Sequence, residues 1–258
     1  MNVSHQVIDA GWRLLEAGLT DGTSGNISVR GPDGEHMLIT PTHRDWRLLT
    51  VRDLVLVDLR TGKATGKRKP SSEWRLHASI YVTRPDVRAI VHHHGTFASA
   101  VAVARKSIPV MIDEAADIGP IPTAPYAPSA SQELAETVSA QLTRGSNAVL
   151  LASHGAVAVG RDLAEAVRRA LEVERLAKIY IGAEILGGAQ ALDKEAVAKS
   201  QDFFETYRSS PAEGKGSTTT VPRIGGRVGL PELVTFGFRF GVTFASLLQA
   251  LILQKLHR

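Results

Sequence analysis

Helical and strand-like patterns of apolar residues alternate along this chain. The first helical pattern covers residues 7–19, and its apolar face is predicted to contain Ile8, Trp12, Leu15 and Leu19. Short apolar, β-branched runs with the composition of strands follow at residues 27–30, 37–40, 54–58 and 87–91. Strands that alternate with helices are typical of a layered α/β protein.

Three more helices are predicted from apolar runs and from capping signals. An apolar run over residues 98–103 predicts a short helix. Residues 129–132 have the pattern of a capping box for a helix that ends near Leu142. Residues 162–165 have the same pattern and predict a long helix that ends near Ala183.

The segment from Lys69 to Gly95 joins a helix to a strand and contains several side chains capable of catalysis or metal binding. Ser72 is a predicted N-cap, residues 74–82 have an apolar face at helical spacing, and Pro85 ends the pattern. An apolar strand follows and ends in three consecutive histidines at residues 92–94.

Side chains alternate along an extended segment, so His92 and His94 are expected on one side and His93 on the other. Two imidazoles on one side of a strand form half of a transition-metal site, and a third ligand must come from elsewhere. His154, which follows another apolar run and precedes a glycine, is the candidate. A lone buried histidine is more often structural than a metal ligand. The hypothesis of a metal site therefore depends on all three histidines together.

The string GTSGNISVR at residues 22–30 has the chemistry of an anion-binding loop. Its small residues let the backbone approach a ligand, and Thr23, Ser24 and Asn26 add hydrogen-bond donors. A polar turn between a helix and a strand is the plainer interpretation of this string taken alone.

Composition narrows the possible chemistry. The chain of 258 residues is 43% hydrophobic, which suffices for a buried core, and it contains no cysteine. Any metal must therefore be held by histidine and carboxylate. The net charge of +4 comes without a dense basic run, which argues against nucleic-acid and membrane partners. Polar residues interrupt the first apolar stretch, so no signal peptide is predicted and a cytoplasmic location is expected.

The last part of the chain differs in composition from the rest. A stretch rich in Gly, Ser, Thr and Pro follows Tyr207, and an apolar stretch follows from Leu233 onward. Gly237, Arg239 and Gln249 within the apolar stretch argue against a transmembrane helix. We therefore expect a catalytic domain over residues 1–208 and a C-terminal extension of unknown role over residues 209–258.

A series of motifs in fixed order spans residues 7 to 207: GTSGNISVR, LITPT, KPSSEWRLHASIY, RPDVRAIVHHH, KSIPV, TAPYA, LLASHGAVAV, EVERLAKIY and FFETY. The ordered set resembles the class II aldolase/adducin family. The resemblance implies an α/β fold with a central, largely antiparallel β-sheet flanked by helices. It further implies a zinc-dependent aldehyde-lyase, assembled as a homotetramer with active sites at subunit interfaces. Such an enzyme cleaves a ketose 1-phosphate through an enediolate, giving dihydroxyacetone phosphate and an aldehyde.

Residue by residue, the resemblance implies a set of functional positions. The implied zinc ligands are His92, His94, His154 and Glu73. Glu73 is also the implied catalytic base once substrate displaces it from zinc, and Tyr207 matches a mobile catalytic tyrosine. The implied phosphate-binding residues are Gly25, Asn26, Thr42, Ser71 and Ser72.

Two departures from the family pattern concern the substrate. His43 stands where the family's aldolases usually have glycine, so the phosphate loop can differ in shape. The tyrosine expected shortly after KSIPV is absent, and its place falls at Asp113.

His77 lies one helical turn after Glu73, and we expect it to be a core histidine.

Three other functions are compatible with the same motifs. A pentulose-5-phosphate 4-epimerase would use the same enediolate, and a 3-oxo sugar-acid phosphate decarboxylase would fit the missing tyrosine. An adducin-like interaction module would keep the fold without the site. Glu73 favours an aldolase, because the epimerases usually carry Asp there, and the intact histidines argue against the interaction module.

Overall fold

A single sheet of eight strands forms the centre of the described structure. The computed structural model describes residues 2–142 and 146–209, without the side chains of 207–209. The strands are β1 (Asn26–Arg30), β2 (His36–Ile39), β3 (Val55–Asp58), β4 (Ala64–Thr65), β5 (Ala89–His93), β6 (Thr123–Ala124), β7 (Ala148–Leu151) and β8 (Gly155–Gly160). Their order is β4-β3-β2-β1-β5-β8-β7-β6, and only the β6–β7 pair is parallel. The predicted fold class, α/β with a largely antiparallel sheet, is confirmed.

Helices cover both faces of this sheet. They are α1 (Val3–Glu16), α2 (Trp74–Thr83), α3 (Thr96–Val103), α4 (Gln132–Gln141), α5 (Leu163–Ile185) and α6 (Lys194–Ser209). One apolar core joins α1, α3 and α5 to one face of the sheet, and a second core joins α2 and α4 to the other. None of the helices described here combines the length and the hydropathy needed to cross a bilayer.

The alternation of β5 decides which histidines meet. Ala89 and Val91 belong to the core on the α5 side, whereas Ile90 belongs to the core on the α2 side. His92 therefore continues the α2 side and His93 the α5 side, because successive side chains point to opposite faces.

The buried face of α1 agrees only in part with the predicted one. Leu19 is buried, and Ile8 and Leu15 are partly buried against the core, but Trp12 is 42% exposed, so its placement was wrong. The buried residues of the helix are Val7, Ala10, Gly11 and Leu14. The reason lies at Gly11, where an added Cβ would come within 2.5 Å of the Trp46 ring. The close approach of this ring turns the Gly11 side of the helix toward the core.

Two predicted helix starts also need correction. Glu73, not Ser72, is the N-cap of α2, because a tight turn precedes the helix: the Trp74 amide donates to the Ser71 carbonyl. Helix α4 begins after Ser131 and not at Ser129; the Ser131 hydroxyl accepts from the Leu134 amide at 3.0 Å. The boundary at residue 208 stays a prediction, and the extension lies almost wholly outside the described residues.

The predicted cap of α5 is present: an oxygen of Asp162 accepts from the Glu165 amide at 2.8 Å. Asp162→Ala should therefore lower the free energy of unfolding by about 1 kcal/mol, the usual cost of losing a capping side chain. Denaturation by urea measures the change. Asp162→Ser keeps an acceptor and should retain most of the stability; an equal loss in both variants would show that the cap bond is not responsible.

Candidate active site

Three histidines from two separate parts of the sheet converge. His92 ends β5 on the α2 side, His94 follows the strand directly, and His154 lies in the turn between β7 and β8. The three ring centroids are 4.8, 4.9 and 5.0 Å apart. The structure thus brings together the three residues that strand alternation and the third His-Gly suggested, in an arrangement that could hold a metal ion.

Glu73 joins this cluster from the start of α2. One carboxylate oxygen lies 3.1 Å from His92 Nε2 and the other 3.4 Å from His154 Nε2. His94 Nε2 lies 3.0 Å from His92 Nε2. Ligand atoms around a tetrahedral zinc ion are about 3.3 Å apart, since the metal–nitrogen bonds are about 2.0–2.1 Å long. The four side chains therefore fit a divalent transition metal.

Hydrogen bonds and protonation prepare the imidazoles for this role. His92 Nδ1 donates to the Ala156 carbonyl at 2.9 Å, which leaves Nε2 to face the cluster. Burial, reinforced by the neighbouring His92, lowers the pKa of His94 to about 3 and that of His154 to about 4. Both rings are therefore neutral near pH 7, which is the form that binds metals. Among the described residues, the buried Oε1 of Glu73 has no hydrogen-bond partner.

The negative charge of Glu73 is stabilised by its neighbours. Burial by itself raises the pKa of this carboxyl, but the imidazoles of His92 and His154 and the Asn26 amide outweigh burial and hold the pKa well below its usual range. Burial lowers the pKa of His92, and the Glu73 charge more than offsets this and raises it. His92 Nε2 and Glu73 Oε2 lie 3.1 Å apart, so each side chain favours the charged form of the other.

Gly25 and Asn26 reach the cluster from the start of β1. Gly25 has a φ of +72°, and an added Cβ would lie 2.7 Å from the His92 carbonyl oxygen. Only glycine fits both conditions. Asn26 pairs with His92 across the sheet, and its Nδ2 donates to Glu73 Oε2 at 2.9 Å.

The other three predicted phosphate-binding residues lie on two adjacent loops before α2. Ser71 is buried, and its hydroxyl accepts from the Glu73 amide at 3.2 Å; Ser72 is exposed. The Thr42 amide donates to the Lys69 carbonyl at 3.2 Å, which holds the loops side by side. His43 has a φ of +53°, so it adopts the left-handed conformation that glycine favours.

Thr40 ties these segments together, and our sequence analysis did not identify it. Its amide and hydroxyl both bond to the backbone of Ile27, and its carbonyl accepts from the Ser71 amide at 3.0 Å. A polar residue at the end of an apolar strand was the only signal available in the sequence.

His93 faces away from the cluster, as alternation requires. Its Nδ1 accepts from the Gly95 amide at 3.2 Å, and burial lowers its pKa to about 3. Glu174 of α5 lies beside Gly95 and accepts from the amides of Phe97 and Ala98 at 2.9 Å each. Glu174 therefore holds the start of α3 in place on this side of the sheet.

Asp113 and Tyr207 are not brought to the cluster by any described contact. Asp113 opens a short 3-10 turn, is exposed, and accepts from the Ser200 hydroxyl of α6 at 2.9 Å. Tyr207 belongs to α6, but its side chain lies outside the described residues. Its catalytic role stays a prediction.

The geometry predicts that metal binding depends on His92. Purified His92→Ala should lose most of its bound divalent metal after dialysis, because one of the converging ligands is gone. His36→Ala is the matched control, since His36 lies on β2 beside Asp33 and away from the cluster. Elemental analysis measures metal per chain, and full metal content in His92→Ala would contradict the assignment.

Comparison with known proteins identifies the family of this chain. Residues 5–181 match the family described as Class II Aldolase and Adducin N-terminal domain. The L-fuculose phosphate aldolase of Escherichia coli (strain K12) is 39% identical over 208 residues, which cover 80% of this chain and 95% of that protein. A 5-methylthioribulose-1-phosphate/5-deoxyribulose-1-phosphate aldolase of Rhodospirillum rubrum is 38% identical over 205 residues, 79% of this chain and 91% of its own.

A solved structure of an L-fuculose 1-phosphate aldolase has the same fold. It aligns with a TM-score of 0.75 at 36% identity, over 79% of this chain and 96% of that one. The curated relatives are aldolases, so the predicted enzyme class, a lyase, is confirmed. This chain belongs to the class II aldolase and adducin family.

Proposed function

We propose that this enzyme cleaves a ketose 1-phosphate to dihydroxyacetone phosphate and an aldehyde, in a zinc-dependent reaction through an enediolate. The observation that carries the proposal is the position of Glu73. Its carboxylate contacts two histidines of the cluster and follows directly after two serines at the start of a helix. A base, a metal-ligand set and phosphate donors thus lie within one small region.

Zinc is the metal that best suits this ligand set. Three imidazoles and one carboxylate favour zinc over magnesium or calcium, which prefer oxygen ligands. Zinc held by His92, His94 and His154 would supply a Lewis acid that stabilises negative charge on substrate oxygens.

The substrate phosphate is proposed to lie at the start of α2. The hydroxyls of Ser71, Ser72 and Thr42 and the Asn26 amide supply donors, and Gly25 lets the backbone come close. A helix N-terminus also attracts an anion through its dipole. The names of the curated relatives, which are aldolases of sugar phosphates, support a phosphorylated substrate.

Glu73 is proposed to be the general base. Its contacts with His92 and His154 hold its pKa low, so the carboxylate is a weak base while these contacts last. Once substrate oxygens take its place at the histidine cluster, burial prevails and raises its pKa toward a useful value. In the direction of condensation, Glu73 then removes a proton from C3 of dihydroxyacetone phosphate; in cleavage it returns that proton.

The same family membership supports a homotetramer with active sites between subunits. We propose that Tyr207 acts in such an interface site as the mobile tyrosine. Asp113 is a second proposed participant, because it occupies the place of the missing tyrosine and contacts α6, the helix that carries Tyr207.

A substrate panel tests the proposal directly. The zinc-loaded protein should cleave ketose 1-phosphates and release dihydroxyacetone phosphate, which a coupled reduction detects. The matched unphosphorylated ketoses should react much more slowly, since they lack the anion that the α2 loops are proposed to bind.

Pentulose 5-phosphates and 3-oxo sugar-acid phosphates complete the panel. Epimerisation of the former or release of CO₂ from the latter, without cleavage of any ketose 1-phosphate, would contradict the aldolase assignment. Equal rates with and without the phosphate would contradict the phosphate site.

Glu73→Gln tests the base. The amide keeps the shape of the side chain and can still accept from Asn26, so most of the zinc should remain. Exchange of the C3 proton of dihydroxyacetone phosphate with solvent should slow by about 10²-fold or more, the usual scale for loss of a general base. Proton NMR in D₂O follows the exchange.

Glu133→Gln, an exposed position in the first turn of α4, is the matched control and should exchange normally. Near-normal exchange in Glu73→Gln would show that another group removes the proton.

A further inference from the structure

A continuous chain of buried hydrogen bonds leads away from Glu73. Asn26 Nδ2 donates to Glu73, and Asn26 Oδ1 lies 2.5 Å from His77 Nε2. His77 Nδ1 lies 2.6 Å from the Ser28 hydroxyl, which lies 2.8 Å from the Tyr81 hydroxyl. None of these residues is more than 7% exposed. We call these five residues the polar chain.

The polar chain arises from a match between the repeats of α2 and β1. Glu73, His77 and Tyr81 are four residues apart and therefore form one stripe on the helix, with a spacing of about 6 Å. Asn26 and Ser28 are two residues apart and share one face of the strand, with a spacing of about 6.7 Å. Because the spacings nearly agree, helix and strand side chains interleave along the whole contact.

Chemistry fixes the direction of every bond in the polar chain. The Asn26 amide turns its NH₂ to the carboxylate, so its carbonyl oxygen faces His77 and must accept a hydrogen from Nε2. Burial lowers the pKa of His77 to about 3, so the ring is neutral and Nδ1 has no hydrogen. Nδ1 therefore accepts from Ser28, which in turn accepts from Tyr81. Each donor points toward Glu73.

Packing alone does not require these polar groups. Leu76 and Ile80 of α2 pack with Met37 and Ile39 of the sheet in an apolar core around the polar chain. Replacement of hydrogen-bonded buried polar groups by apolar groups of the same shape is often neutral or stabilising, so stability alone does not explain them. A reversed Asn26 amide would place its carbonyl oxygen against the Glu73 carboxylate, and the two would repel.

We propose that His77 and Ser28 are positioning residues of this active site. They hold the Asn26 amide with its NH₂ group toward Glu73. This fixes the position of the Glu73 carboxylate and of the Asn26 hydrogen-bond donors that are proposed to bind the substrate phosphate. The consequence for catalysis rests on the proposed function, whereas the arrangement of hydrogens does not.

Histidine NMR tests the arrangement without any substrate. In protein labelled with ¹⁵N-histidine, the His77 ring should show a proton on Nε2 and none on Nδ1 near pH 7. The signal is assigned by its absence from His77→Gln. Ser28→Ala removes the donor to Nδ1, so the Nδ1 resonance should move, while the proton should stay on Nε2 because the Asn26 carbonyl still accepts it. A proton on Nδ1 in the unmodified protein, or no change in Ser28→Ala, would overturn the inference.

Binding and turnover test the consequence. His77→Leu frees the Asn26 amide, so we expect weaker binding of dihydroxyacetone phosphate and a lower kcat, each by about tenfold, with zinc content unchanged. His77→Gln can donate to Asn26 and accept from Ser28, so it should restore most of both. Tyr81→Phe should have a smaller effect than Ser28→Ala, because Ser28 still donates to His77.

Ser79→Ala is the control, since the Ser79 hydroxyl contacts Ser139 of α4 and not the polar chain. Should His77→Leu fail to fold, Ser28→Ala and His77→Gln give the same comparison. Unchanged binding and kcat in folded His77→Leu would overturn the positioning role. If no sugar phosphate is cleaved but the tautomer is as stated, the proposed substrate fails and the arrangement stands.

Discussion

A charged carboxylate inside a protein must be compensated, and this requirement on Glu73 governs the structure of the site. Glu73 is 7% exposed, and an isolated buried carboxylate would be strongly unfavourable. Its compensation comes from His92 at the end of β5, His154 in the β7–β8 turn and Asn26 at the start of β1. One side chain therefore depends on three segments of the sheet that are distant from it in sequence, and the site forms only when the sheet is complete.

The proposed metal ligands and the proposed phosphate donors form two separate groups, which Glu73 and Asn26 connect. The histidines come from strand ends, where the rigid sheet sets their positions. The proposed phosphate donors come from loops beside α2, which Thr40 holds to β1 and to Ser71. Glu73 and Asn26 lie between the two groups. A shift in either group is thus transmitted to the carboxylate, which fits a base that must respond to a bound substrate.

Much of the fold and the histidine cluster could be predicted from the sequence, because each depends on a local repeat. The period of two along β5 separates His93 from His92 and His94 without knowledge of any other element. Trp12 was wrongly placed on the buried face of α1 because Trp46, distant in sequence, packs against Gly11. The polar chain was missed because polar residues at alternate positions of β1 indicate a solvent face, whereas α2 covers that face here. Burial of such a strand is favourable only when the helix that covers it carries a matching stripe of polar residues, as α2 does here.

The most direct test of this account is a crystal structure of the protein with zinc and dihydroxyacetone phosphate. We expect zinc on the Nε2 atoms of His92, His94 and His154, and the phosphate against Ser71 and Ser72 at the start of α2. The Glu73 carboxylate should lie within reach of C3, with Asn26 still bonded to His77. Zinc bound elsewhere, or the phosphate in the separate cavity that Arg84, Arg161 and Arg169 line, would contradict the account.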